Sequence, residues 1–183
     1  MNMGVKCIAK MLSTLLLLAA TTIATADPFE LLGVEQPKVR IVAPDFSLEL
    51  LSNASYTSLS DYRGKVILLN FWATWCAPCL EEMPAMQKLW RRYQPAGFEI
   101  LAVAGDRRGR ESVAPFITER GFKYPVLLDA DGAVRNRYDV VGLPMSYLIG
   151  RDGKISGRVV GVIDWDSPAA HKMVESLLQG SAT

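Results

Sequence analysis

Two cysteines, Cys76 and Cys79, stand two residues apart in "NFWATWCAPCLEEMP" (residues 70–84), and the only other cysteine is Cys7. Thiols this close can bind a metal, lock a loop, or carry electrons as a reversible disulfide. A structural zinc site wants four ligands, generally Cys and His. Beyond residue 26 the chain offers no third cysteine and one histidine, His171, so neither a metal nor a cofactor is predicted. Haem attachment would need a histidine directly after the second cysteine, and Leu80 stands there. A disulfide closing so short a loop removes little entropy from the unfolded chain, which makes stapling a poor use of the pair.

The elements that must hold the pair favour electron transfer. "KVILLNFWA" is a near-continuous apolar run, the pattern of a strand buried on both faces. A helix is predicted to begin at the cysteines and to run through "CLEEMPAMQKLWRRY", with Leu80, Met83, Met86, Leu89 and Trp90 at helical spacing and a kink at Pro84. A strand that feeds such a helix sets Cys76 over unpaired backbone N–H groups at the positive end of the helix dipole. That setting favours the thiolate, which is the nucleophile of disulfide exchange. Cys79, one turn onward, is within reach to resolve the mixed disulfide.

Further along, "FEILAVAG" reads as a second buried strand and "ESVAPFITERG" as a helix ended by Gly121. "YPVLLD" reads as a short extended segment, and "GAVRNRYDV" as a turn with one or two helical turns. "LPMSYLIG" and "KISGRVVGV" read as strands joined through Asp152-Gly153. A last helix starts near Asp166 or Ser167, with Pro168 in its first turn. Upstream, "DFSLELL" suggests an edge strand followed by turns to Gly64. The expected fold is α/β, a central mixed sheet with helices on both faces.

Residues 1–26 read as an export signal: Lys6 and Lys10 precede an uncharged apolar run that ends in Ala24-Thr25-Ala26. Cleavage before Asp27 is predicted, the alternative being an uncleaved membrane anchor. Cys7 precedes the apolar run and reads as incidental to the signal. Residues 27–43, with Pro28 and Pro37, read as an arm with few packed contacts, and residues 44–180 as one domain. Without the first 26 residues, 18 Lys and Arg face 19 Asp and Glu. No nucleic-acid partner is expected from that balance. The basic cluster "DRRGR" (106–110) reads as a solvated loop.

At this point the sequence resembles the TlpA/ResA-like, DsbE/CcmG-related exported thiol–disulfide oxidoreductases of the thioredoxin superfamily. The residues that carry the resemblance are "FWATWCAPC", Pro84, "GLPMSYLI", "RDGKI", and the lead-in "APDFSLELL" and "LSDYRGKVILLNFWATWC", over about residues 40–178. The resemblance implies a thioredoxin-like three-layer α/β/α sandwich with an N-terminal strand extension. It implies that Cys76 is the exposed attacking thiol and Cys79 the buried resolving one, joined as a redox-active disulfide around Pro78. It implies that Pro144 is cis and offers backbone to an extended substrate, and that Trp75 shields the first cysteine, simple core packing being the other reading of that tryptophan.

Asn70 stands where thioredoxins carry a buried aspartate, and it cannot take a proton. Glu82, three residues after Cys79 on the same helical face, is the candidate proton acceptor; an exposed helix carboxylate is its alternative. Leu143 and Met145 flank Pro144 and should form a bulky apolar rim that bears on partner choice. Ala77-Pro78 adds no charge between the thiols, so a reducing protein is expected. The resemblance implies a membrane electron donor of the DsbD or CcdA kind. It also implies clients with cysteine pairs, either apocytochrome c or copper-site assembly proteins, in the periplasm or otherwise outside the cytoplasm. Two other readings stand: a peroxiredoxin-like peroxidase, because such proteins share "APDF" and the lead-in strand, and a Cu(I)-handling protein, because thiolates are soft ligands.

Overall fold

The computed structural model describes residues 26–180. Seven strands form one sheet: β1 (Ser47–Leu50), β2 (Tyr56–Ser58), β3 (Val66–Trp72), β4 (Phe98–Ala104), β5 (Val126–Leu128), β6 (Met145–Ile149) and β7 (Ile155–Val160). Their order across the sheet is β2-β1-β5-β4-β3-β6-β7. The β3–β4 and β4–β5 pairs are parallel, and the β1–β2, β1–β5, β3–β6 and β6–β7 pairs antiparallel. The helices are α1 (Pro28–Leu31), α2 (Ala77–Tyr93), α3 (Arg110–Arg120), α4 (Ala133–Arg137) and α5 (Pro168–Leu178).

β3 is buried at all seven positions, as its unbroken apolar run requires of a strand covered on both faces. Side chains alternate along a strand, so Leu68 and Trp72 pack with Met83, Met86 and Leu89 of α2 and Met173 and Leu177 of α5. Ile67, Leu69 and Phe71 pack on the other face with Val134 and Tyr138, at α4 and just after it. Asn70 falls in the α2-facing series and is 1% exposed. It is the polar exception on that face of the strand. Pro84 lies inside α2 without ending it.

Three expectations are corrected. "DFSLELL" does not supply an edge strand: β1 pairs on both sides, and the edge is β2, a three-residue strand inside the stretch read as turns. The arm over residues 27–43 is packed. Phe29 and Val34 are 4% and 8% exposed, Asp27 caps α1 by accepting from the Phe29 amide, and Glu35 and Val42 form bridges to Arg158 and Lys154. Val34 can approach β7 because Gly157 has no side chain; a Cβ there would come within 2.5 Å of Val34 Cγ1. "DRRGR" is not wholly solvated either: Asp106 is 3% exposed, and Arg110 bonds the Leu50 and Leu51 carbonyls and Glu49.

The C-terminal half follows expectation. Gly153 takes φ +75 in the β6–β7 turn, where the Gly150 amide donates to the Lys154 carbonyl. Gly121 ends α3 in the left-handed conformation. Ser167 caps α5 by accepting from the Ala170 amide at 3.2 Å, with Pro168 in the first turn. The predicted signal over residues 1–26 lies outside the described residues, apart from Ala26.

Candidate active site at the N-terminus of α2

β3 ends at Trp72, and the chain turns through Ala73, Thr74 and Trp75 to reach α2. Three bonds fix this turn: the Cys76 amide donates to the Ala73 carbonyl at 3.1 Å, and the Thr74 amide and hydroxyl both donate to Asp106, just beyond β4. Cys76 is the N-cap residue of α2, in extended conformation and with no side-chain capping bond. Its sulfur therefore sits at the positive end of the helix. Pro78, in the first turn, has no N–H to leave unpaired.

Cys76 and Cys79 form a disulfide with an S–S distance of 2.07 Å and Cα atoms 5.3 Å apart. Cys79 is fully buried. Cys76 is 5% exposed, so the sulfur read as the exposed one is only marginally open in the oxidised protein. The exposed part of Cys76 opens on a groove of about 640 Å³ lined by Trp75, Pro78, Val140, Val141 and Leu143.

Trp75 is 69% exposed, which rules out core packing and makes it a wall of the groove beside Cys76. The Leu143–Pro144 peptide is cis, and Pro144 is buried between half-buried Leu143 and β6. Met145 does not contribute to the apolar rim. It is fully buried, because it opens β6 and pairs with Phe71 and Val160 in the sheet. The rim comes instead from Leu143 and, upstream of it, from Val140 and Val141, the latter 86% exposed.

Behind the cysteines lies a buried polar cluster. Glu82 shares the inward face of α2 with Cys79, Met83 and Met86 and is 3% exposed, so it is not a solvated helix carboxylate. Asn70 Nδ2 donates to Glu82 Oε1 at 2.9 Å and to Ser146 Oγ at 3.0 Å. Trp165 Nε1 donates to Glu82 Oε2 at 2.9 Å. Burial penalises the charge and raises the Glu82 carboxyl from 4.5 to about 7, against the bonds from Trp165, Asn70 and the Ile163 backbone, which pull it down. A carboxyl poised near neutrality suits proton transfer. The same negative charge helps to raise the hydroxyl of buried Tyr124, after burial itself.

Trp165 and Ser146 were missed in the sequence. Trp165 sits in "VIDWDSP", between β7 and α5, and is fully buried; a tryptophan in an acidic, proline-containing connection was the available signal. The tie of Thr74 to Asp106 depends on a neighbouring strand end that local sequence does not reveal.

The chain resembles known proteins along most of its length. The model of the AhpC/TSA family matches residues 39–158. The thiol–disulfide oxidoreductase ResA of Oceanobacillus iheyensis is 42% identical over 133 residues, covering 70% of this chain and 68% of that protein. ResA of Geobacillus thermodenitrificans is 40% identical over 130 residues, covering 70% and 73%. Among solved structures, a thioredoxin-family thiol:disulfide interchange protein from Chlorobium tepidum superposes with a TM-score of 0.66 at 28% identity, covering 78% of this chain and 99% of that one. The thioredoxin domain of a thiol–disulfide oxidoreductase from Bacteroides vulgatus gives 0.66 at 28% identity, covering 75% and 96%. With the disulfide at the helix N-terminus, this places the chain in the thioredoxin-fold AhpC/TSA family, among the ResA-like thiol–disulfide oxidoreductases.

Proposed function

We propose that this protein reduces selected disulfides outside the cytoplasm by exchange through Cys76 and Cys79. The observation that carries the reading is the arrangement around one bond. The Cys76–Cys79 disulfide lies at the mouth of an apolar groove beside cis Pro144, with the near-neutral carboxyl of Glu82 behind it. In the reduced protein the Cys76 thiolate attacks one sulfur of a client disulfide. A mixed disulfide forms and the other client sulfur leaves as a thiolate, which takes a proton from water. Cys79 then gives its proton to Glu82 and attacks Cys76 Sγ, which expels the second client sulfur as a thiolate and closes the Cys76–Cys79 bond. The client gains two electrons from the dithiol and two protons, one from water and one returned by Glu82, and the protein is oxidised to the disulfide.

Reduction in an oxidising compartment calls for a continuing supply of electrons, which we assign to a membrane donor of the DsbD or CcdA type. The clients are proteins whose cysteine pairs must stay reduced: apocytochrome c awaiting haem as the first choice, copper-site assembly proteins as the second. Residues 1–26 act as the export signal, cleaved before Asp27 or retained as an anchor to the inner membrane. Among the described residues no helix is long and apolar enough to cross a membrane. Residues 44–180 make the thioredoxin-like domain, onto which the 27–43 arm packs.

A Cys79→Ala variant expressed in the native cell tests this reading. Cys76 should hold its client as a mixed disulfide that survives non-reducing electrophoresis and releases the client on reduction. No covalent partner, with Cys76 still reactive towards a simple disulfide, refutes it. The AhpC/TSA match is the observation that favours a second reading, a peroxidase. Against it, the Thr74 hydroxyl is bonded to Asp106 and is not free to serve Cys76. Rapid peroxide consumption by reduced protein that survives Cys79→Ser would support the peroxidase.

A further inference from the structure

The groove beside Cys76 holds one charged residue among its lining, Arg135. The frame that carries this cation is rigid. Buried Asp129 accepts from the amides of Val134 and Arg135 at 3.0 and 2.8 Å, which pins the first turn of α4. The Arg135 carbonyl accepts from the Val140 amide, tying the cation's backbone to the segment that leads to Leu143 and Pro144. The half-buried side chain lies over two glycines: a Cβ at Gly132 would come within 3.0 Å of its guanidinium, and one at Gly105 within 3.4 Å.

Arg135 makes no ion pair or side-chain hydrogen bond with any described residue. By contrast Arg108 pairs with Glu111, Arg110 with Glu49, and Arg158 with Glu35. A second groove, of about 520 Å³, also reaches Arg135, and there two carboxylates, Asp106 and Asp131, share the lining with the arginines. No carboxylate lines the groove on the Cys76 side, where Arg135 is the one charge. Charge complementarity across an interface steers encounter and selects partners more than it adds affinity.

We propose that Arg135 is a specificity-determining residue, and that the client is an extended polypeptide segment with an acidic side chain within a few residues of the attacked cysteine. The apolar wall of Trp75, Val141 and Leu143 takes the side chains next to that cysteine, and Arg135 takes the carboxylate. This assignment rests on the reductant reading and refines its substrate.

The test uses two nine-residue peptides, each with an internal Cys-x-x-Cys disulfide and differing only in Glu or Gln upstream of the first cysteine. Reduced wild-type protein, Arg135→Gln and Arg135→Glu are compared by kcat/KM at low ionic strength. Wild type should prefer the Glu peptide by about three- to fivefold, the range of a partly exposed charge pair, and the preference should fade with added salt. Arg135→Gln should abolish it and Arg135→Glu reverse it. Equal rates for both peptides in wild type, or a preference that persists in Arg135→Gln, overturn the assignment alone. Failure of wild type to reduce either peptide overturns the reductant reading and this assignment with it.

Discussion

Replacing Glu82 with glutamine keeps the shape of the side chain and removes its titration, so the consequence can be worked out with its sign. Glu82 is shifted from 4.5 to about 7, chiefly because burial disfavours its charge. Between those two values the folded protein holds a proton that the unfolded chain has released. Stability is therefore full below about pH 4.5 and falls as pH rises through about 7. The gap corresponds to about 3 kcal/mol, at about 1.4 kcal/mol for each tenfold change in a proton equilibrium. Glutamine abolishes that slope. It also brings an amide N–H against one of two fixed donors, Asn70 Nδ2 or Trp165 Nε1, at a pH-independent cost of about 1–3 kcal/mol. The variant should thus be the less stable protein in acid and recover by about 3 kcal/mol relative to wild type by about pH 8. Urea unfolding of both oxidised proteins across this range measures the difference. Parallel stability curves would refute the argument, because a carboxyl that titrates normally leaves no such slope.

Two further outcomes follow from the same geometry. Trp165→Phe removes a donor that pulls the Glu82 carboxyl down. Its titration, followed by the carbon-13 shift of the side-chain carboxyl, should move up by about one pH unit, and a fixed or lowered value would contradict the bond. Phe29→Ala empties a buried site where the N-terminal arm meets the core cluster that includes Leu177 of α5. It should cost about 3–5 kcal/mol by urea unfolding, and a cost near zero would mean that the arm is not part of the folded unit.

What could be read in the sequence was local. Cys76, Cys79 and Pro78 lie in one turn of helix behind a strand of seven buried residues, and both signals reside in fifteen consecutive residues. Gly121, Gly153 and Ser167 mark ends and turns through their own backbone or side-chain chemistry. What escaped was decided by distant chain. Helical spacing puts Glu82 on the face of Cys79, but its burial depends on Trp165, 83 residues away. Phe29 and Val34 look like linker residues because their partners are α5 and β7 at the other end of the chain. Met145 was read as rim because it adjoins Pro144; strand pairing with Phe71 and Val160 turns it into the core. β2 is three residues long, too short for alternation to register.

The central claim is that Cys76 and Cys79 work as a reductant, and it depends on the absence of a charged residue between them. A stabilised thiolate is what makes a dithiol strongly oxidising. Equilibrium of the purified protein with glutathione or dithiothreitol buffers of known potential, followed by alkylation of free thiols and mass spectrometry, gives the potential of the pair. The account predicts a value nearer to that of thioredoxin, about −270 mV, than to that of DsbA, about −120 mV. A value above about −195 mV, the midpoint of that range, would contradict it.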